Sequence, residues 1–237
     1  MAPRLAYGCD RRELSHNVVA SMKKVERVRR EMDTYTPDEI RQVLRPVDGD
    51  RNGHLWYLAL SGLPRGGIAG LRWSDVDFDA GTLTIARSRV EVGTTSTVVE
   101  NEPKTASSRR TLPLDDGLIA VLRRAKAIQA QEKLAVGGGY ADSGYVASTE
   151  AGQPYMPGVL THMWHDVAEA AGVRRIRLHD ARHSCGTALH LRGVPLAVIA
   201  KWLGHADAAI TAKIYAHSQD DFLRAAGQSL GAVVTPS

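Results

Sequence analysis

The 237-residue sequence predicts a mostly α fold carrying a small three-stranded antiparallel β-sheet. Apolar residues recur at helical spacing through most of the chain, with Gly and Pro punctuating the runs. A central tract instead alternates in period two and is rich in β-branched residues.

The elements follow in order. Arg11 to Met32 (RRELSHNVVASMKKVERVRREM) is a basic helical stretch too short to be a domain, so residues 1–35 read as an N-terminal helix and linker. The tetrapeptide TPDE then offers Thr36 as N-cap, Pro37 at the first helical position and Glu39 three residues in, a capping-box start. A second, larger domain is therefore expected over residues 36–237. Leu58 to Trp73 (LALSGLPRGGIAGLRW) reads as helix on either side of a break at Pro64, Gly66 and Gly67, with proline expected in the first turn of the second helix. Thr82–Val92, Thr97–Glu100 and Arg109–Leu114 are expected to form the three strands. Asp115 and Asp116 open a long helix to about Leu134, followed by a loop with GGGY near its start. From Met156 the chain is helical again, with breaks at Gly172, at Gly193–Val194–Pro195 and at Gly204.

Composition excludes several classes. No apolar run is long enough to span a bilayer, and the start lacks a secretory signal pattern. Cys9 and Cys185 alone do not make a disulfide framework and fit a reducing cytoplasm. A formal charge of +4 makes a polyanion a candidate partner without singling one out.

Three polar clusters lie in the C-terminal third: HDARH (His179–His183), WLGH ending in His205, and IYAH with Tyr215 ten residues later. His179, Arg182 and His183 are spaced to share one side of a helix. Histidines four apart can bind zinc, but no Glu lies between them and Arg182 is a poor neighbour for a cation. His162 and His165 flank Trp164 in HMWHD and read as a helix surface around an aromatic anchor. Leu196 to Tyr215 also reads as a helix-turn-helix, although its second helix offers mainly Ala, Ile, Thr and Lys213 for reading bases.

Taken in this order and spacing, HDARH, LGH and IYAH closely resemble the tyrosine recombinase (phage integrase) family. The resemblance runs from about Thr36 to the end and includes LRWSDVDFDAGTLTI and PKTASSRRTLPL. It implies the tyrosine recombinase catalytic-domain fold and a site-specific recombinase that cuts and rejoins DNA through a 3′-phosphotyrosine intermediate, without metal or other cofactor. Tyr215 would be the nucleophile, His179 the general base, and Arg182 the fork on the phosphate oxygens. His205 would add a hydrogen bond, and Lys104 would protonate the departing 5′ oxygen. Arg109 and Arg110 sit beside Lys104 as DNA contacts or as an ordinary solvated strand edge. The implied partner is double-stranded DNA at attachment sites, bound with strong salt dependence, in the cytoplasm of a bacterial or phage-infected cell. The tail from Ser218 to Leu230 reads as an amphipathic helix of the kind that docks on a neighbouring protomer, which implies self-association on DNA.

Two departures stand out. The family carries an arginine in a turn of the form G-[LM]-R-x-[GS]-E ahead of LxW. Anchored on Leu71–Arg72–Trp73, the arginine position falls on Pro64 and the glutamate position on Gly67. Arg65 comes one residue late, a step of about 100° around a helix, and is expected to contact DNA from a displaced position. Activity impaired at this station is one expectation; the alternative is a DNA-binding prophage remnant that keeps the fold without cleaving. The second departure is the short N-terminus, expected to be the last helix of a core-binding domain.

Overall fold

A computed structural model describes residues 33–93, 97–102 and 109–205. The N-terminal stretch Arg11–Met32, Lys104, Tyr215, the second half of the helix-turn-helix reading and the tail Ser218–Leu230 lie outside the described residues.

Helix α1 (Pro37–Leu44) begins as TPDE dictates: Thr36 Oγ1 accepts the Glu39 N–H at 3.2 Å, and Glu39 Oε2 accepts the Thr36 N–H at 2.7 Å. Tyr35, just before the cap, is buried, with its N–H on Ser184 Oγ and its hydroxyl on the Arg174 carbonyl. Helix α2 (Gly53–Leu60) is apolar nearly all round, as a helix in the middle of a core must be. Trp56 and Trp164 pack with ring centroids 5.7 Å apart and Tyr35 meets Trp164 at 6.0 Å, so three aromatics form the heart of the core.

The break after α2 runs through Ser61–Pro64 into the short helix α3 (Arg65–Gly70). Pro64 is its N-cap, with ψ 153°, and Arg65 is the first helical residue, so the proline stands one position earlier than its sequence reading placed it. Proline suits an N-cap because the N–H it lacks is not needed there.

Two strand groups follow. β1 (Val76–Asp77), β2 (Thr82–Ile85) and β5 (Arg110–Pro113) form a three-stranded antiparallel sheet in the order β1-β2-β5, with Leu83 opposite both Val76 and Leu112. β3 (Ser88–Val92) and β4 (Thr97–Asn101) form a separate antiparallel pair. The sheet thus has the expected size but different members: Thr82–Val92 divides at Ala86–Arg87, and Thr97–Glu100 pairs only with the second half. The division falls where α3 approaches the extended tract closely. A Cβ on Gly66 would lie 2.9 Å from the Arg89 carbonyl oxygen, and one on Gly70 would lie 3.3 Å from that of Arg87. α3 therefore sets its glycines against the backbone of residues 87–89, where the extended tract divides.

Asp115 caps α4 (Asp116–Val136) by accepting the Leu118 N–H at 2.7 Å. The last three described helices are α5 (Pro157–Ala170), α6 (Leu178–Leu191) and α7 (Leu196–Leu203), separated at the glycines and prolines read as breaks. Among the described residues no helix is long and apolar enough to cross a membrane.

Candidate active site

The HDARH segment forms the first turns of α6, and its helical spacing brings the expected residues together. His179 and His183 meet edge to face with centroids 4.9 Å apart. Among the described residues no group of three His, Cys, Asp or Glu forms a metal cage. Asp180 is buried and accepts two hydrogen bonds from Arg177, at 2.8 and 2.9 Å, which ties down the helix start.

Arg182 is the buried centre of the site, 6% exposed. Its Nη1 donates to the Gly62 carbonyl at 2.9 Å and its Nη2 donates to the Leu203 carbonyl. The first bond reaches the turn between α2 and α3, and the second reaches the end of α7. Glycine suits position 62 in this seat: φ is +97°, and a Cβ there would lie 2.9 Å from Leu203 Cδ2 and 3.3 Å from Cys185 Sγ. Trp202 completes the seat by donating its Nε1–H to the Ser61 carbonyl at 2.9 Å.

His205 follows directly on α7, after Gly204 in the left-handed conformation. Arg110 approaches the same point from β5, its Nε donating to the Trp202 carbonyl at 2.6 Å. Burial first, and then the positive charge of Arg182, lowers the Arg110 pKa to about 10. The histidines respond alike. Burial and the Arg182 charge push His205 down to about 4. Burial and neighbouring His179 push His183 down to about 4, and His179 itself is lowered by burial and by Arg182. All three rings are therefore neutral at pH 7, each offering one donor and one acceptor nitrogen.

Arg65 is exposed and donates from Nη1 to Thr161 Oγ1 on α5 at 3.0 Å. Its charge is close enough to contribute to the lowering of His179. Arg109 is exposed, immediately before β5. The described residues thus bring His179, Arg182, His205 and Arg110 into one electrostatic neighbourhood, with Arg65 in reach of His179.

Sequence reasoning missed the inward turn of Arg110 and the part played by Gly62 and Trp202. One signal was present: in RRTLPL a period of two puts Arg110 on the face of Leu112, which is 4% exposed. No residue pattern announces the Gly62 carbonyl, because every residue has one.

The phage integrase family model matches residues 21–221. The chain is 32% identical over 228 residues to a protein named tyrosine recombinase XerC-like from Caldanaerobacter subterraneus subsp. tengcongensis, a match that covers 89% of this chain and 58% of that one. It is 26% identical over 217 residues to prophage integrase IntR of Escherichia coli strain K12, covering 84% of this chain and 51% of the relative. The chain thus spans little more than half the length of these two curated relatives. In structure it resembles the Tn1549 transposon integrase in complex with transposon right end DNA, with a TM-score of 0.73 at 18% identity over 95% of this chain and 75% of that one. It resembles the XerA recombinase with a TM-score of 0.60 at 20% identity over 91% and 68%. At such identities the likeness is one of fold, and the fold is that of the tyrosine recombinases. With the family model matched over most of its length, the chain belongs to the phage integrase family.

Proposed function

We propose that the chain is a site-specific recombinase that cuts and rejoins double-stranded DNA at attachment sites through a 3′-phosphotyrosine intermediate, with residues 36–237 as the catalytic domain. One observation carries the reading most: Arg182 is buried and oriented by backbone carbonyls from two different elements, next to three neutral histidines. A carbonyl aims a guanidinium while leaving its formal charge in place, which suits a seat for a phosphate.

In this reading the Tyr215 oxygen attacks the scissile phosphorus, the bond to the 5′ oxygen breaks, and Lys104 protonates the departing oxygen. The Tyr215 phenol, ordinarily with a pKa near 10, gives its proton to neutral His179. Burial leaves His179 a weak base, and an arriving phosphate anion beside it raises its proton affinity. Arg182 and His205 stabilise the charge that develops on the non-bridging oxygens. Rejoining is the reverse displacement, with a 5′ hydroxyl of the exchanged strand attacking the phosphotyrosine. Arg65 and Arg109, both exposed, supply phosphate contacts, and further copies of the chain assemble on the same DNA.

The proline at position 64 favours a second reading, in which the chain binds DNA without cleaving it, because it removes a guanidinium from the turn. A nicked suicide duplex carrying an attachment site separates the two. A covalent protein–DNA adduct with wild type that disappears in Tyr215→Phe supports the recombinase. Retarded complexes with no adduct support binding alone.

A further inference from the structure

An α-helix leaves its last four carbonyls without partners inside the helix. In α7 all four find partners, and the partners come from two sources. The His205 N–H donates to the Ala200 carbonyl at 2.9 Å and the Gly204 N–H to that of Lys201 at 3.1 Å, the double closure of a left-handed glycine terminus. The remaining two are taken by guanidinium groups: Trp202 accepts from Arg110 Nε at 2.6 Å, and Leu203 accepts from Arg182 Nη2. The negative pole of the helix dipole thus seats two arginines on adjacent carbonyls. The backbone N–H of His205 is part of the same closure.

We propose that Arg110 is a positioning residue: by holding the Trp202 carbonyl it fixes the α7 terminus from which His205 projects and against which Arg182 is aimed. The functional consequence rests on the recombinase reading above; the structural claim does not. Arg110 is well placed for the task. It lies on β5, six residues after Lys104, and shares the inward face of that strand with Leu112. It therefore ties the strand that follows the expected general acid in sequence to the helix end that carries His205. Among the described residues, the charged and titratable groups facing His205 are Arg182, His179 and His183 from α6 and Arg110 from β5.

The test compares the full chain with Arg110→Gln and Arg110→Lys. In the Gln variant, amide exchange at Gly204 and His205 is expected to speed up at least tenfold. The His205 ring, followed by NMR, is expected to titrate about one pH unit higher as a facing charge is lost. The slope of log affinity against log salt for duplex DNA stays at the wild-type value, and adduct formation falls about 10- to 100-fold. Arg110→Lys keeps the charge and returns the His205 titration to the wild-type range, while an ammonium, lacking the planar fork, leaves exchange at Gly204 and His205 fast. If the Gln variant does not fold, the Lys variant decides by that exchange alone. The proposal is overturned if exchange at both amides keeps its wild-type rate in the folded variants. A salt slope reduced by about 0.9 in Arg110→Gln, the signature of one lost phosphate contact, also overturns it. None of the exchange, titration and salt readouts requires cleavage. An inactive wild type would therefore sink the recombinase reading while the role of Arg110 at the α7 terminus would still be decided by exchange and titration.

Discussion

Pro64 and Gly67, the two positions that the resemblance sets apart in the α2–α3 turn, lie close together. A Cβ built on Gly67 would lie 3.1 Å from Pro64 Cγ, 3.2 Å from Pro64 Cδ and 3.6 Å from Ile85 Cγ2. The first two distances are tighter than ordinary Cβ contacts, and a pyrrolidine ring closed onto its own backbone can give only by changing its pucker. Gly67→Ala should therefore combine two opposed effects. Replacing glycine inside a helix gains about 1 kcal/mol of propensity. Overpacking against the ring costs roughly 1–3 kcal/mol. The net in wild type lies between no change and about 2 kcal/mol of destabilisation. In a Pro64→Ala background the ring is gone, and the same substitution should stabilise by about 1 kcal/mol. Urea unfolding of the four proteins closes a double-mutant cycle with an expected coupling of about 1–3 kcal/mol. Coupling below about 0.5 kcal/mol would refute the view that the Pro64 ring fills the space a side chain at position 67 would need. The positive result has a practical consequence: restoring an arginine at position 64 also opens room at position 67, so Pro64→Arg should be built with and without Gly67→Glu.

Two other outcomes follow from the same structure. Gly62→Ala places a side chain at φ +97° and 2.9 Å from Leu203 Cδ2, so stability should fall by about 1–3 kcal/mol, and an unchanged Tm would mean that the turn is not seated on α7. His54, His183 and His205 are held near 4 against an ordinary 6.5, chiefly by burial, so the unfolded chain takes up protons first on acidification. Their contribution to stability is full above pH 6.5 and is lost as the pH falls towards 4. Urea midpoints should decline from pH 7 to pH 5, and a flat profile in that interval would contradict the assignment.

Local signals were the legible ones. TPDE specified its cap, Asp115 started its helix, and the four-residue spacing of His179 and His183 placed both rings on one side of α6. Trp164, read as an anchor among exposed histidines, is fully buried with its Nε1–H on the Ile176 carbonyl. Partnerships were not legible. Alternation marks Thr82–Val92 as extended without saying that its two halves pair with different strands, because register depends on what packs against each face. The Arg182 seat escaped for a different reason: its described acceptors are main-chain oxygens of Gly62 and Leu203, brought near by the packing of three helices. The arginines flanking the expected general acid differ in a way alternation could have shown, with Arg109 facing out and Arg110 in.

The most direct test of the recombinase account is the identity of the residue that becomes linked to DNA. Trypsin cleavage after Lys213 and Arg224 releases IYAHSQDDFLR, which contains Tyr215 as its only tyrosine. Mass spectrometry of the adduct trapped on a nicked duplex should find this peptide carrying a 3′-phosphorylated nucleotide on Tyr215. Linkage at any other residue, or DNA bound tightly with this peptide always unmodified, would contradict it.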